Sequence, residues 1–150
     1  MLGLVRLFRR QVSPAQGSTL VTADTDRATP AGTETVLVVE DDRAVRLLFT
    51  KVLESAGYEV IACENGTVGL EAARNQIEKI DAIITDARMP GMQGPRLIKH
   101  IRALRPEIPA ILVSGNAVDT VMDPATVFLS KPISPGILTR ELRRLLRARM

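Results

Sequence analysis

The sequence predicts an α/β domain in which a five-stranded parallel sheet carries helices on both faces. Short apolar runs rich in β-branched residues alternate along the chain with longer segments that have apolar residues at helical spacing. The apolar runs have few polar positions, which indicates parallel strands covered on both sides. The length of 150 residues, with 45% hydrophobic and 25% charged residues, is typical of one globular domain with a short extension.

Five apolar runs from residue 35 onward are interpreted as the strands. Helical segments separate most of them, and connections of this kind are right-handed by default, so we expect a parallel sheet covered on both faces. The predicted strands are TVLVV at 35–39, YEVIAC at 58–63, IDAIIT at 80–85, IPAILVS at 108–114 and TVFLS at 126–130.

The helices are recognised by their end residues and by their apolar faces. Gly57 ends the first helix, NGTVGLEAARNQ starts the second, GPRLIKHIRALR forms the third, and Ser134 and Pro135 open the last. The positions predicted to face the sheet are Val45, Leu48, Phe49, Val52, Leu53 and Ala56 in the first helix, Leu97, Ile98, Ile101 and Leu104 in the third, and Leu138, Leu142, Leu145 and Leu146 in the last.

Residues 1–33 differ in composition from the rest of the chain. They are rich in Ser, Thr, Ala, Gly and Pro and have little apolar periodicity, so we predict a disordered tail at 1–33 and the folded domain at 34–150. The first ten residues, MLGLVRLFRR, have the pattern of a short basic amphipathic helix, for which weak membrane docking is the alternative. We expect no membrane contact.

Charge and composition exclude several classes of function. The formal charge of +3 comes from arginines near the two ends, because residues 11–139 contain more acidic than basic residues. The C-terminal arginines are interpreted as the solvated face of the last helix, with a phosphate or acidic partner as the alternative. Aromatic residues are only 3% of the chain, which argues against stacking on single-stranded nucleic acid. With Cys63 as the single cysteine and no apolar stretch long enough to span a membrane, we predict a cytoplasmic protein.

Polar and charged residues follow four of the predicted strands. In a doubly wound sheet, ligands bind beyond the carboxyl ends of the strands, near the switch in strand order. The residues at these ends are Glu40, Asp41 and Asp42 after the first strand, Asp86 after the third, Ser114 after the fourth, and Ser130, Lys131 and Pro132 after the fifth.

This set of side chains fits a carboxylate that accepts a phosphoryl group. Clustered carboxylates repel one another and favour a cation, and hard oxygen ligands suit Mg²⁺ or Mn²⁺. Lys131 and Ser114 would then contact the oxygens of the phosphoryl group on Asp86. Taken singly, each feature has a plainer explanation, such as a helix N-cap at Asp42 or a turn after Ser114. Their joint placement at strand ends favours the site.

Four motifs resemble the receiver domain of two-component response regulators. They are VLVVEDD at 36–42, ITDARMPG at 84–91, ILVSG at 111–115 and FLSKP at 128–132. The resemblance covers roughly residues 34–149 and implies a flavodoxin-like doubly wound sheet with strand order 2-1-3-4-5.

The resemblance also implies which residues bind the metal and the phosphoryl group. Asp86 would be the phosphoacceptor. Asp41 would bind Mg²⁺ directly and Glu40 largely through water, and the backbone carbonyl of Arg88 would complete the protein ligands. Lys131 would contact the phosphoryl group.

Further residues match the switch of the family. Ser114 would move toward the phosphoryl group, and the ring of Phe128 would follow inward. The peptide bond between Lys131 and Pro132 would be cis. The phosphoryl donor would be a histidine kinase or a phosphotransfer protein, the downstream partner would be another protein, and the chain would catalyse only its own phosphorylation and dephosphorylation.

The chain departs from the family pattern in two places. The segment between Ser114 and Lys131 is shorter than usual and contains Pro124, which predicts a shortened fourth helix. No DNA-reading output domain follows the last helix, so we expect a single-domain receiver without direct DNA binding. The alternatives are a constitutive scaffold of the same fold, or an Asp-nucleophile phosphotransferase or hydrolase. Arg88 argues against the hydrolase, because the haloacid dehalogenase class has an acid at that position.

Overall fold

The computed structural model describes residues 34–116 and 123–149. The predicted tail at 1–33 lies outside the described residues, and so do residues 117–122, where the shortened fourth helix was predicted. All strand pairs are parallel and follow the order β2-β1-β3-β4-β5, which confirms the predicted fold class. The strands are β1 (Thr35–Val39), β2 (Glu59–Cys63), β3 (Ile80–Asp86), β4 (Ala110–Ser114) and β5 (Thr126–Ser130).

Three helices are preceded by N-cap residues whose side chains accept hydrogen bonds from amides of the first turn. Asp42 accepts a hydrogen bond from the Val45 amide, and Ser134 accepts one from the Ile137 amide, as expected of N-cap residues. Asn65 caps its helix in the same way. The helices are α1 (Arg43–Ser55), α2 (Gly66–Gln76), α3 (Gly94–Leu104) and α4 (Pro135–Ala148).

The sheet divides the apolar core into two layers, because successive side chains of each strand point to opposite faces. Leu37 and Val39 of β1 pack on the side of α2 and α3, whereas Val36 and Val38 pack on the side of α1 and α4. The two layers account for the uninterrupted apolar run at residues 36–39 of β1. None of the described helices combines the length and apolarity needed to cross a membrane.

Two residues predicted to face the sheet are exposed instead. Leu48 of α1 is 48% exposed and Leu104, the last residue of α3, is 45% exposed. Phe49 and Leu53, which lie four residues apart, form the buried stripe of α1, and Leu48 lies beside it. The apolar spacing therefore predicted too wide a buried face.

Candidate functional site

The parallel register brings the predicted site residues to one edge of the sheet. Val39 pairs with Thr85, so Glu40, which follows β1, and Asp86, the last residue of β3, lie side by side at the same level. One oxygen from each of Glu40, Asp41 and Asp86 lies within 4.8 Å of the others. The adjacent residues Glu40 and Asp41 therefore form a single acidic cluster with Asp86, which is remote from them in sequence.

The turn between β1 and α1 holds the first two acids in different environments. Glu40 is 1% exposed, and its Oε2 accepts a hydrogen bond of 3.1 Å from the Asp42 amide. Asp41 is exposed. Asp42 turns away from the cluster to cap α1, the plainer role considered for it from the sequence.

Lys131 supplies the positive charge of the site. Its Nζ lies 3.2 Å from Oε1 of Glu40 and 3.6 Å from Oδ2 of Asp86. Its backbone amide donates a hydrogen bond of 2.8 Å to the Ser114 carbonyl, and the peptide bond to Pro132 is cis. The backbone of Lys131 thus joins the end of β5 to the end of β4. Its side-chain ammonium contacts two acids of the cluster.

Burial and charge shift the pKa values of these three groups. Burial raises the pKa of Glu40 to about 7, aided by the charge of Asp86 and opposed by Lys131 and the Asp42 amide. Burial also raises the pKa of the Asp86 carboxyl, against the opposing effects of Lys131 and the backbone amide of Arg88. Burial alone would lower the pKa of Lys131, but Glu40 and Asp86 outweigh it and the net shift is upward.

Ser114 and Phe128 lie on the two strands beyond Asp86. Ser114 is buried, and its Oγ accepts a hydrogen bond of 3.1 Å from the Asn116 amide. Phe128 of β5 pairs with Leu112 and is half-buried against the core layer that contains α2 and α3. Both residues therefore lie on β4 and β5, whose carboxyl ends are joined by the hydrogen bond from the Lys131 amide to the Ser114 carbonyl.

The acidic cluster has the donor set that a hard divalent cation requires. Oε1 of Glu40 is shielded from solvent and makes an ion pair with Lys131, but within the described part of the chain it receives no well-directed hydrogen bond. An unsatisfied buried carboxylate oxygen beside two further carboxylates is costly without an ion or water. The residues present therefore fit Mg²⁺ or Mn²⁺.

Two residues that support the site were not anticipated from the sequence. Gly94, the first residue of α3, packs against the backbone of the phosphoacceptor candidate, since a Cβ there would lie 2.3 Å from the Asp86 carbonyl oxygen. Arg46 of α1 donates a hydrogen bond of 2.7 Å to the Glu40 carbonyl. In the sequence, a glycine at the start of a helix is only a weak indication of close packing. Nothing in the sequence distinguishes Arg46, which contacts the site, from the exposed Arg43.

Substitution Gly94→Ala is expected to destabilise the protein by about 1–3 kcal/mol, because the added methyl group meets backbone atoms that must shift. Gly136→Ala is the matched control, since its Cβ would meet nothing within 4 Å in the first turn of α4. We expect that control to be neutral or stabilising by up to about 1 kcal/mol. Urea unfolding of both variants tests this, and equal stabilities would contradict the packing argument.

The raised pKa of Glu40 predicts that the metal-free protein loses stability as the pH rises. The protonated carboxyl is favoured in the folded state, so this contribution is present below about pH 4.5 and lost as the pH passes about 7. Unfolding in EDTA at pH 5 and pH 8 should show a fall of up to about 3 kcal/mol. Glu40→Gln should remove much of that fall, and an unchanged pH dependence in this variant would contradict the assignment.

Comparison with known proteins gives one consistent result. The sequence model of the response regulator receiver domain matches residues 36–143. Sensor kinase CckA of Brucella abortus is 36% identical over 121 residues, which is 77% of this chain and 13% of the kinase. The transcriptional regulatory protein DctD of Rhizobium meliloti is 36% identical over 114 residues, 73% of this chain and 24% of the regulator. The chain thus spans less than a third of these relatives.

Solved structures agree with the sequence relatives. The receiver domain of the hybrid histidine kinase CckA superposes with a TM-score of 0.67 at 33% identity, covering 75% of this chain and 98% of that domain. A response regulator receiver protein from Sinorhizobium medicae superposes with a TM-score of 0.74 at 27% identity, covering 80% of this chain and 99% of that one. These matches, which agree with the fold and with the four sequence motifs, show that the chain belongs to the response regulator receiver domain family of two-component signalling.

Proposed function

We propose that this receiver accepts a phosphoryl group on Asp86 and that the resulting acyl phosphate changes its binding to a downstream protein. The observation that carries the proposal is the arrangement of Glu40, Asp41 and Asp86 within 4.8 Å, with Lys131 in ion-pair contact with two of them. Catalysis of phosphoryl transfer consists mainly of positioning and charge neutralisation, and these groups together with a divalent cation would supply both.

The proposed donor is the phosphohistidine of a histidine kinase or phosphotransfer protein, in keeping with the sensor kinase among the relatives. An oxygen of Asp86 attacks the phosphorus, and a P–O bond forms as the P–N bond breaks. The bonding pair returns to the imidazole nitrogen of the donor. Lys131 then exchanges part of its ion pairing with Asp86 for the phosphoryl oxygens, which keeps the growing negative charge compensated.

Mg²⁺ or Mn²⁺ would be held by Asp41 and Asp86, with Glu40 and the Arg88 carbonyl as further ligands. When bound, the ion would supply the positive charge that shields the incoming phosphoryl oxygens from the carboxylates. Without it, the charges of Glu40 and Asp41 would oppose the approach of an anionic donor to Asp86.

The response to phosphorylation is proposed to pass through Ser114 and Phe128. The Ser114 hydroxyl would donate to a phosphoryl oxygen, and the space that it leaves would admit the half-buried ring of Phe128. The phenylalanine ring has no hydroxyl to satisfy, so it can be buried without a hydrogen-bond partner. We further propose that the chain catalyses only its own phosphorylation and dephosphorylation.

The alternatives raised by the sequence receive less support. Burying the carboxylate of Glu40 beside Lys131 costs desolvation free energy. A constitutive scaffold would gain no function from this ion pair, whereas a phosphoacceptor site would. A hydrolase with an Asp nucleophile would need an acid where Arg88 stands. The receiver mechanism uses every member of the cluster.

Acetyl phosphate and Mg²⁺ provide a test that does not depend on a particular kinase. Incubation of the purified chain should add the mass of one phosphoryl group, measured on the intact protein, and EDTA should prevent the addition. A chain that binds Mg²⁺ and gains no phosphoryl group from acetyl phosphate or from any histidine kinase tried would support the constitutive scaffold instead.

A further inference from the structure

We propose that Arg46 is a positioning residue for the metal-binding acids, an inference that rests on the proposed function. Its Nη1 donates a hydrogen bond of 2.7 Å to the Glu40 carbonyl oxygen, a contact that is partly buried. β1 ends at Val39, so this carbonyl lies beyond the last paired residue of the strand. A buried carbonyl needs a donor, and Arg46 supplies it from α1.

The contact closes a short loop that carries both acids of the turn. Three hydrogen bonds of this loop involve side chains: the Asp42 amide to Glu40 Oε2, the Val45 amide to Asp42 Oδ1, and the Arg46 guanidinium to the Glu40 carbonyl. A fourth joins the Arg46 amide to the Asp42 carbonyl at 2.9 Å. The first two hold the side chains of Glu40 and Asp42. The Glu40 backbone, which Asp41 directly follows, is held on one side by its amide, which donates to the Cys63 carbonyl at 3.1 Å, and on the other by Arg46 at its carbonyl. The direction of the exposed Asp41 carboxylate therefore depends on the peptide that Arg46 fixes.

The hydrogen bond from Arg46 opposes the electrostatic repulsion among the clustered carboxylates. The ammonium of Lys131 makes ion pairs with Glu40 and Asp86. Asp41 belongs to the same cluster, with a carboxylate oxygen within 4.8 Å of those of Glu40 and Asp86, so the like charges repel. A turn free to move would relieve this repulsion by swinging Asp41 outward and away from the metal position. Arg46 keeps the ligands preorganised, as residues behind metal ligands commonly do.

Arg46→Met is expected to raise the Kd for Mg²⁺ about 10-fold or more, measured by an NMR titration of backbone amides. The rate of phosphorylation by acetyl phosphate should fall at low Mg²⁺ and return to within about 2-fold of wild type at saturating Mg²⁺, since Arg46 would act through the Glu40 backbone carbonyl that it contacts. Arg46→Lys keeps a hydrogen-bond donor, so its Kd for Mg²⁺ should lie between those of the wild type and Arg46→Met. Lys51→Met is the matched control, because it removes an exposed cation from the same helix.

A folded Arg46→Met variant with a Kd within about 2-fold of wild type would overturn the inference. A lower rate that saturating Mg²⁺ does not restore would also overturn it, since it would indicate a role in the chemical step or in the fold. Should Arg46→Met fail to fold, Arg46→Lys and Arg46→Gln are judged by the same criteria. Failure of the wild-type chain to bind Mg²⁺ or accept a phosphoryl group would instead contradict the proposed function, and this inference with it.

Discussion

Asp86→Asn should abolish phosphorylation by acetyl phosphate, with a fall in rate of at least about 10³-fold. The amide keeps the size of the side chain but lacks the carboxylate nucleophile. Because the substitution also removes one of three clustered negative charges, we expect the metal-free variant to be folded and at least as stable as wild type. Intact mass and thermal unfolding measure the two effects separately.

Asp42→Asn is the matched control for this variant. It removes a negative charge one residue from Asp41, but asparagine is as good an N-cap as aspartate, so α1 should be unaffected. We expect its phosphorylation rate to stay within about 2-fold of wild type, since the Asp42 side chain caps α1 and is not part of the acidic cluster, and the substitution keeps the backbone amide that bonds Glu40. Equal losses in the two variants would mean that general charge near the site, and not a nucleophile at Asp86, governs the reaction.

Lys131→Met should slow phosphorylation by about 10²–10³-fold, because it removes the cation that compensates the charge of the phosphoryl oxygens. The same change leaves the buried Glu40 carboxylate without its ion pair. The metal-free variant should therefore be less stable than wild type at pH 8 by about 1–3 kcal/mol, and the deficit should shrink at pH 5, where Glu40 is protonated.

Lys99→Met, on the exposed face of α3, is the control for the loss of a lysine. It should change neither the rate nor the pH dependence of stability. A Lys131→Met variant with wild-type phosphorylation kinetics would remove Lys131 from the proposed site, whatever its stability. A stability deficit that is the same at both pH values would contradict the pairing with Glu40.

The architecture was predictable because its signals are local and repeated. Residues 36–39 of β1 and 110–113 of β4 are uninterrupted apolar runs, and the starts of α1 and α4 are marked by the capping residues Asp42 and Ser134. The placement of Asp86, Ser114 and Lys131 at strand ends was enough to predict that they meet. Parallel strands share one carboxyl edge, so strand ends that are remote in sequence become neighbours.

Other features depended on packing that no local pattern encodes. Leu48 has the spacing of a buried residue, yet Phe49 and Leu53 occupy the stripe that faces the sheet. The sequence predicted that Lys131 would lie near the acids, but not that its ammonium would lie closer to Glu40 than to Asp86. The roles of Arg46 and Gly94 rest on contacts with backbone oxygens, which leave no trace in the periodicity of apolar residues.

The most direct test of the account is to locate the phosphoryl group itself. Borohydride reduces an aspartyl phosphate to homoserine, so the chain should be treated with acetyl phosphate and Mg²⁺, reduced, digested and analysed by tandem mass spectrometry. We expect homoserine in place of Asp86 in the peptide that contains Ala87 and Arg88, and none when Mg²⁺ is withheld. Homoserine at Asp41 or another aspartate, or phosphate retained on Ser114, would contradict it.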